Sequence, residues 1–314
     1  MQFWALIVDS FRESVDRKIF WVLVGLTLLI TLVMLSVGFA GEEVTLFFGM
    51  WSTETDRFNP LSDIGRANLV GFVVYLLAST MMGWIGVTLM IIATAGAFPA
   101  FSERGALDVV LAKPINRARL FLYKYFATMV FVVLQGTLFF VLTFLVMWLR
   151  WGVWAPGYLL SIVFLVLLFS YLYCVSVLVA VKTQSAVAAI LLTLFAWVLF
   201  ALIHQAPSVF ETFPDLKKRR TVYVAVRVAS WIPPKTGDFP YLAARWSQAG
   251  TSIDALPYFD MDTATELERT QIERARQVEE QELAKNQFYS IGSSLLFEIV
   301  VVLLAMWTFA RKDY

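Results

Sequence analysis

The stretch YFATMVFVVLQGTLFFVLTFLVMWL, residues 125–149, holds 25 consecutive residues without a charge, between Lys124 and Arg150. The hydrocarbon core of a bilayer is about 30 Å thick, so a helix that crosses it needs roughly 20 predominantly apolar residues. This stretch is therefore long enough to cross a membrane once. It predicts that lipid, rather than water, surrounds this part of the chain.

Five further stretches, each with at most one charge, predict that the whole chain is organised around membrane-spanning helices. A cleaved signal peptide is the alternative for the first one. Its apolar run is longer than a typical signal, and 18 residues with both charge signs precede it, so a retained helix is favoured. The second is predicted as one long helix that ends near Gly96 and Pro99. The six predicted spans lie near residues 19–39, 69–97, 125–149, 158–181, 187–204 and 289–310.

The composition excludes several classes of protein. The 314 residues are 59% hydrophobic and 16% charged, with a mean hydropathy of +0.71, whereas soluble chains carry about 45–50% apolar and about 25% charged residues. A net charge of +1 gives no sign of nucleic-acid binding. With one cysteine, Cys174, and one histidine, His204, we expect no disulfide within the chain, no metal site and no catalytic grouping.

The distribution of Lys and Arg predicts the orientation in the membrane. One side carries 11 of them and the short loops of the other side carry three, and the richer side is expected to be cytoplasmic. Both termini and the loop 101–120 are then cytoplasmic, in a multi-pass protein of the cytoplasmic (inner) membrane. Residues 205–288 then lie on the opposite side and are predicted to be extracytoplasmic. The charges of this segment do not change the prediction, because translocation of long segments depends little on their charge.

This organisation is an all-α polytopic membrane protein in three parts. Residues 1–204 hold an N-terminal helix, spans one to five and the loop 101–120. Residues 205–288 form the extracytoplasmic segment, and 289–314 form the sixth span and a cytoplasmic tail. In the middle part, Thr263 and Glu266 make a capping-box pattern that begins a charged helix, 263–285. A solvated helix leading into the sixth span is favoured over a docking surface for an extracytoplasmic partner.

The N-terminal segment shows apolar residues at helical spacing on one face and charged residues on the other. This pattern predicts an amphipathic helix lying in the cytoplasmic interface, in contact with membrane lipids. A solvated leader is the alternative, which the aromatic content opposes. The apolar face includes Phe3, Trp4, Ile7 and Phe11.

One acidic residue, Glu298, lies at the centre of the sixth span with 12 uncharged positions on each side. An ionised carboxylate there costs at least about 2.5–3.5 kcal/mol on insertion scales. We therefore expect Glu298 to face other helices or a wet cavity. Two interpretations stay open. The residue contacts substrate or forms a gating hydrogen bond, or it makes a structural hydrogen bond to a neighbour such as Gln135, Thr137 or Ser176.

The cytoplasmic loop after the second span predicts a short helix over 102–112. Ser102 can cap its start, and Pro114 disfavours helix at the preceding residue. Leu107 and Leu111 share one face. An apolar face displayed to the cytosol is explained if the helix docks into a groove on a cytoplasmic partner. The alternative is an ordinary positively charged inside loop.

The residues of this loop resemble the signature of the ABC-2 type transporter permeases, in which a stretch like E-x-G-T-L-D-x-L-L-x-x-P-x-x-R follows the second span. Ala106 stands where the family usually has Thr, and Arg104 can pair with Asp108 at helical spacing. Six spans, an interfacial N-terminal helix and cytoplasmic termini are also similar to that family. The resemblance implies a coupling site at Glu103, Arg104, Gly105, Leu107, Asp108, Leu111, Pro114 and Arg117.

The resemblance also implies a function. The chain would be the permease subunit of an ATP-driven exporter, paired with a second permease copy or homologue and with a separate cytoplasmic ABC ATPase that binds ATP and Mg. The chain has no G-x-x-x-x-G-K-[ST] phosphate-binding loop, so we expect no cofactor and no enzymatic activity of its own. The alternative is a non-transporting scaffold or assembly factor that binds a cytoplasmic partner. An intramembrane enzyme is disfavoured because the spans lack H-E-x-x-H, paired aspartates and a Ser/His couple.

Overall fold

The structure is a computed structural model. It describes residues 18–40, 43–54, 63–101, 116–212, 230–239, 242–243, 246 and 286–312. The predicted interfacial helix, the predicted coupling helix 102–112 and the charged helix 263–285 lie outside the described residues.

Six helices in the described part of the chain are long and apolar enough to cross a membrane. The prediction of a helical multi-pass membrane protein is therefore confirmed, and each helix overlaps a predicted span. From the first span to the sixth they are Lys18–Ser36, Leu69–Phe101, Arg117–Trp151, Pro156–Thr183, Ala186–His204 and Gln287–Arg311.

The second span is the least regular of the six. It begins within the α-helix Asp63–Val73 and continues through a π-helical stretch, Val74–Gly86, and a second α-helix, Val87–Thr94. A turn at Ala95 and Gly96 then interrupts the helix, and a short helix, Ala97–Phe101, follows. The predicted end near Gly96 is thus the site of a break, after which one more helical turn precedes the loop.

The third span begins at Arg117, eight residues before its predicted start. Asn116 caps this start, because its side-chain oxygen accepts a hydrogen bond from the backbone N–H of Ala118 at 2.9 Å. The helix ends at Gly152, whose positive φ of 70° favours glycine. Lys124, two turns into this helix, has a side chain that is buried within the bundle.

The fourth span is the centre of the bundle and packs against the second, third, fifth and sixth spans. A 3-10 turn, Pro156–Leu160, leads into its α-helix, Ser161–Thr183, and the fifth span belongs to a longer helix, Ala186–Thr212. The first, fifth and sixth spans lie outside and expose rows of apolar side chains, which in a membrane contact lipid or another subunit. Examples of these exposed side chains are Leu28, Leu32, Leu191, Phe195, Leu303 and Trp307.

A small antiparallel sheet follows the first span and was not predicted from the sequence. Its strands are β1 (Gly38–Ala40), β2 (Glu43–Leu46) and β3 (Trp51–Glu54), in the order β1-β2-β3. A 3-10 turn, Phe47–Gly49, joins β2 to β3. The all-α expectation therefore describes the spans but not this connection.

Candidate functional site

The carboxylate of Glu298 joins three spans inside the bundle. Its Oε1 accepts a hydrogen bond of 2.9 Å from the Tyr125 hydroxyl of the third span. Its Oε2 accepts one of 2.8 Å from the Ser170 hydroxyl of the fourth span. Tyr125 and Ser170 are buried and Glu298 is half-buried. Each carboxylate oxygen thus has a donor, which offsets part of the cost of removing it from water.

The expectation that Glu298 faces other helices is confirmed, but its partners differ from the three residues that were proposed. Gln135 instead donates to the hydroxyl of Thr27 in the first span at 3.2 Å. The buried Ser176 hydroxyl has no hydrogen-bond partner in the described part of the chain. The sequence indicates the depth of a residue in a span but not the face of the helix on which it lies.

Polar residues continue from Glu298 toward the start of the sixth span. Ser290, Ser294 and Glu298 follow one another at four-residue spacing and therefore share one face of the helix. Ser290 and Ser294 are buried. The sixth span packs mainly against the fourth, so this polar row runs along the contact between the two helices.

Part of the segment between the fifth and sixth spans is fixed on the ends of both. Asp238 lies in a short 3-10 turn, Thr236–Asp238. Its Oδ1 lies 2.9 Å from Nε2 of His204 in the fifth span, and its Oδ2 accepts a hydrogen bond from the Ser290 hydroxyl. We call these three side chains the outer clamp. The pairing of His204 with Asp238 was not predicted from the sequence.

Lys235 adds a second connection between this segment and the sixth span. Its backbone N–H donates to Ser294 at 3.0 Å, and its ammonium donates to Ser293 at 2.7 Å. The ammonium also lies 4.1 Å from the centre of the Tyr289 ring, a distance at which a cation is attracted to the ring face. Lys235 and Asp238 together therefore make three hydrogen bonds and one cation–π contact with the sixth span.

A narrow cleft of about 20 Å³, which is room for about one water molecule, lies beside the outer clamp, between the fourth span, the start of the sixth span and the segment that holds Lys235. Lys235, Ser290 and Ser294 line it on the polar side, and Phe164, Phe239 and Ile291 contribute apolar surface. The buried hydroxyls of Tyr171 and Thr236, which also line it, have no hydrogen-bond partner among the described residues. Cys174, on the same helix as Tyr171, is buried and donates to the Tyr171 carbonyl at 3.1 Å.

At the opposite end of the bundle the two ends of the loop 102–115 are held by neighbouring spans. Phe101 stacks on Phe309 of the sixth span at 6.3 Å between ring centres, and the Lys124 ammonium lies 5.6 Å from the centre of the Phe101 ring. Arg117 donates to the Lys312 carbonyl at 2.9 Å. The Lys312 ammonium in turn donates to the Val181 carbonyl at 2.9 Å. We call these contacts the loop base.

The predicted site residues are therefore described only in part. Glu298 and Arg117 are described, and Arg117 contacts the chain's own C-terminal end. In the described ranges, no group of three or more His, Cys, Asp or Glu residues is placed to hold a metal ion. The other members lie outside the described residues: Glu103, Arg104, Gly105, Leu107, Asp108, Leu111 and Pro114 of the loop, and Phe3, Trp4, Ile7 and Phe11 of the N-terminal segment.

Comparison with known proteins gives no relative: no family model, no curated protein and no solved structure matches this chain.

Proposed function

We propose that this chain is the permease subunit of an ATP-driven ABC exporter, moved through the loop 101–120 by a separate ABC ATPase. The proposal takes the identity of the motor from the resemblance of residues 103–117 to the ABC-2 type signature. It takes the site of action from the bundle, in which a polar row and the half-buried carboxylate of Glu298 lie between packed helices.

The loop base is the observation that carries the proposal. A loop that serves only membrane orientation needs no fixed attachment at its ends. Here the last described residue before the loop, Phe101, stacks on the sixth span, and Arg117 is bonded to the end of that span. Lys312 extends the connection to the fourth span. A force on the loop would thus reach the second, third, fourth and sixth spans together.

The hydrogen bonds of Glu298 supply the element that such a force would change. The carboxylate joins the third, fourth and sixth spans, and these are also the spans that meet at the loop base. Relative movement of the helices would separate the carboxylate from one donor or the other. An ATP-driven step that exposes Glu298 to a different partner is a means of opening a path for substrate.

The test is co-purification of the chain with the ABC ATPase subunit encoded nearest to it, followed by measurement of ATP hydrolysis by the pair in proteoliposomes. Leu107→Asp places a charge on the predicted docking face of the loop helix. Val109→Asp is the matched control, because it lies about 200° away on the same predicted helix. Burial of one leucine stabilises an interface by about 1.5–3 kcal/mol, so Leu107→Asp should weaken binding by about 10- to 150-fold.

We expect the wild type and Val109→Asp to retain the ATPase and Leu107→Asp to lose it, with all three proteins equally monodisperse in detergent. Equal recovery of the ATPase with all three would contradict the proposal. Recovery of a partner that has no ATPase activity, through the same face, would instead indicate a scaffold.

A further inference from the structure

The three-stranded sheet brings the chain back to the end of the first span. Gly38 pairs with Thr45, so β2 comes back to the level at which the helix Lys18–Ser36 has just ended. Residues 46–49 continue past that level, and the turn Phe47–Gly49 packs against the first span. This turn therefore lies beside the lipid-exposed end of a membrane-spanning helix.

Charged and apolar residues are separated along the length of the sheet. At the end away from the membrane, the register places Glu43 opposite Glu54. Three residues further along β2, about 10 Å away at the usual rise of a strand, the end near the membrane carries no charge. We call residues 46–51 at this end the aromatic tip. Its large side chains are exposed: Leu46 by 38%, Phe47 by 63%, Phe48 by 67%, Met50 by 89% and Trp51 by 68%.

The backbone of the aromatic tip is held in an unusual conformation. Phe47 and Phe48 have φ values of 50° and 60°, and Gly49 follows at 94°. Bulky residues avoid the left-handed region at a cost of the order of 1–3 kcal/mol each, and such strain clusters at functional positions. Burial of the two exposed rings in an apolar medium would offset part of this cost.

Neighbouring aromatic residues indicate what that medium is. The Trp151 indole, at the end of the third span, donates to the Val37 carbonyl at 3.0 Å, and Phe39 of β1 packs edge-on against its ring. Trp148 and Trp154 lie nearby and are exposed by 45% and 57%. Tryptophan and tyrosine are enriched where spans cross the boundary between acyl chains and headgroups. The sheet is thus attached at that boundary.

We propose that the aromatic tip inserts into the lipid leaflet at the Ser36 end of the first span, with its rings at the boundary between headgroups and acyl chains. Lipid occupies this surface, because the aromatic tip is continuous with the exposed apolar face of the first span. The acidic end of the sheet is directed away from the bilayer. This proposal is independent of the exporter proposal, since it requires no ATPase and no substrate.

The chain offers a direct test because its single cysteine, Cys174, is buried. In a Cys174→Ala background, Phe48→Cys and Met50→Cys are each spin-labelled in phosphatidylcholine vesicles. Met50→Cys removes no packing, since Met50 is almost fully exposed. Glu43→Cys and Thr53→Cys, also exposed and on the same sheet, are the matched controls. Collision of each label with oxygen, which concentrates in lipid, is compared with collision with a water-soluble nickel chelate.

We expect the ratio of oxygen to chelate collisions to be higher at positions 48 and 50 than at 43 and 53. Equal, water-like ratios at all four positions would overturn the proposal. It would also be overturned by labels at 48 and 50 that are shielded from both reagents and show dipolar coupling between chains, because the surface would then be an interface between two copies.

Discussion

Two replacements of Glu298 separate the effect of its hydrogen bonds from the effect of its charge. Replacement by glutamine keeps the shape, and the amide oxygen still accepts from Tyr125 while the amide nitrogen donates to the Ser170 oxygen. Replacement by alanine removes both hydrogen bonds, which have lengths of 2.9 and 2.8 Å. At about 0.6–1.5 kcal/mol for each bond, Glu298→Ala should lose about 1–3 kcal/mol of hydrogen-bond energy, and the net change in the free energy of unfolding is this loss minus the cost of burying the carboxylate. Glu298→Gln should stay within about 1 kcal/mol of the wild type.

The measurement is reversible unfolding in mixed micelles, combined with double-mutant cycles. Tyr125→Phe and Ser170→Ala should each destabilise the wild type but have little further effect in the Glu298→Ala background, because their partner is already absent. A loss from Tyr125→Phe that is the same in both backgrounds would refute the assignment of this hydrogen bond. The ATPase activity of the partner subunit, measured with wild-type and Glu298→Gln permease, then distinguishes a structural from a functional role of Glu298. Unchanged activity indicates a structural role, and lost activity indicates that the charge is used.

Two further predictions concern the ends of the bundle. Asp238→Ala removes both contacts of the outer clamp, which together contribute about 1–3 kcal/mol. Backbone hydrogen exchange should therefore become faster in residues 230–239 and stay unchanged around Glu298. Unchanged exchange in residues 230–239 would contradict the role of the clamp. Arg117→Ala removes a hydrogen bond that contributes about 1 kcal/mol, so tryptic cleavage after Arg311 should become about fivefold faster. The control Arg119→Ala, at an exposed position, should leave this rate unchanged. Equal rates in both variants would show that the Arg117–Lys312 contact does not hold the tail.

The spans could be predicted from the sequence because they depend on a single property, the absence of charge over about 20 residues. The same criterion found only part of the third helix, because the uncharged stretch stops at Lys124 whereas the helix begins at Arg117. An ammonium can be buried in a helix bundle where an aromatic ring such as that of Phe101 lies close to it. A rule based on charge alone does not include this compensation.

The polar contacts could not be predicted because they join residues far apart in the sequence. His204 and Asp238 are 34 residues apart, and Tyr125 and Glu298 are 173 apart. Their pairing depends on the rotation of each helix, which hydropathy does not report. The sheet was missed for a different reason: strands of three and four residues are too short to show a clear alternation beside a long apolar span.

The sixth span is the element that connects these sites. Its first turns hold Asp238 and Lys235 through three serines, its centre carries Glu298, and Phe309 and Lys312 at its end belong to the loop base. About 21 Å of helix separates Glu298 from Lys312. Because the hydrogen bonds of a helix resist stretching, a displacement at the loop base is transmitted to Glu298 as a movement of the whole helix. Under the proposed function, the hydrogen bonds of Glu298 would therefore respond to the ATPase without any direct contact with it.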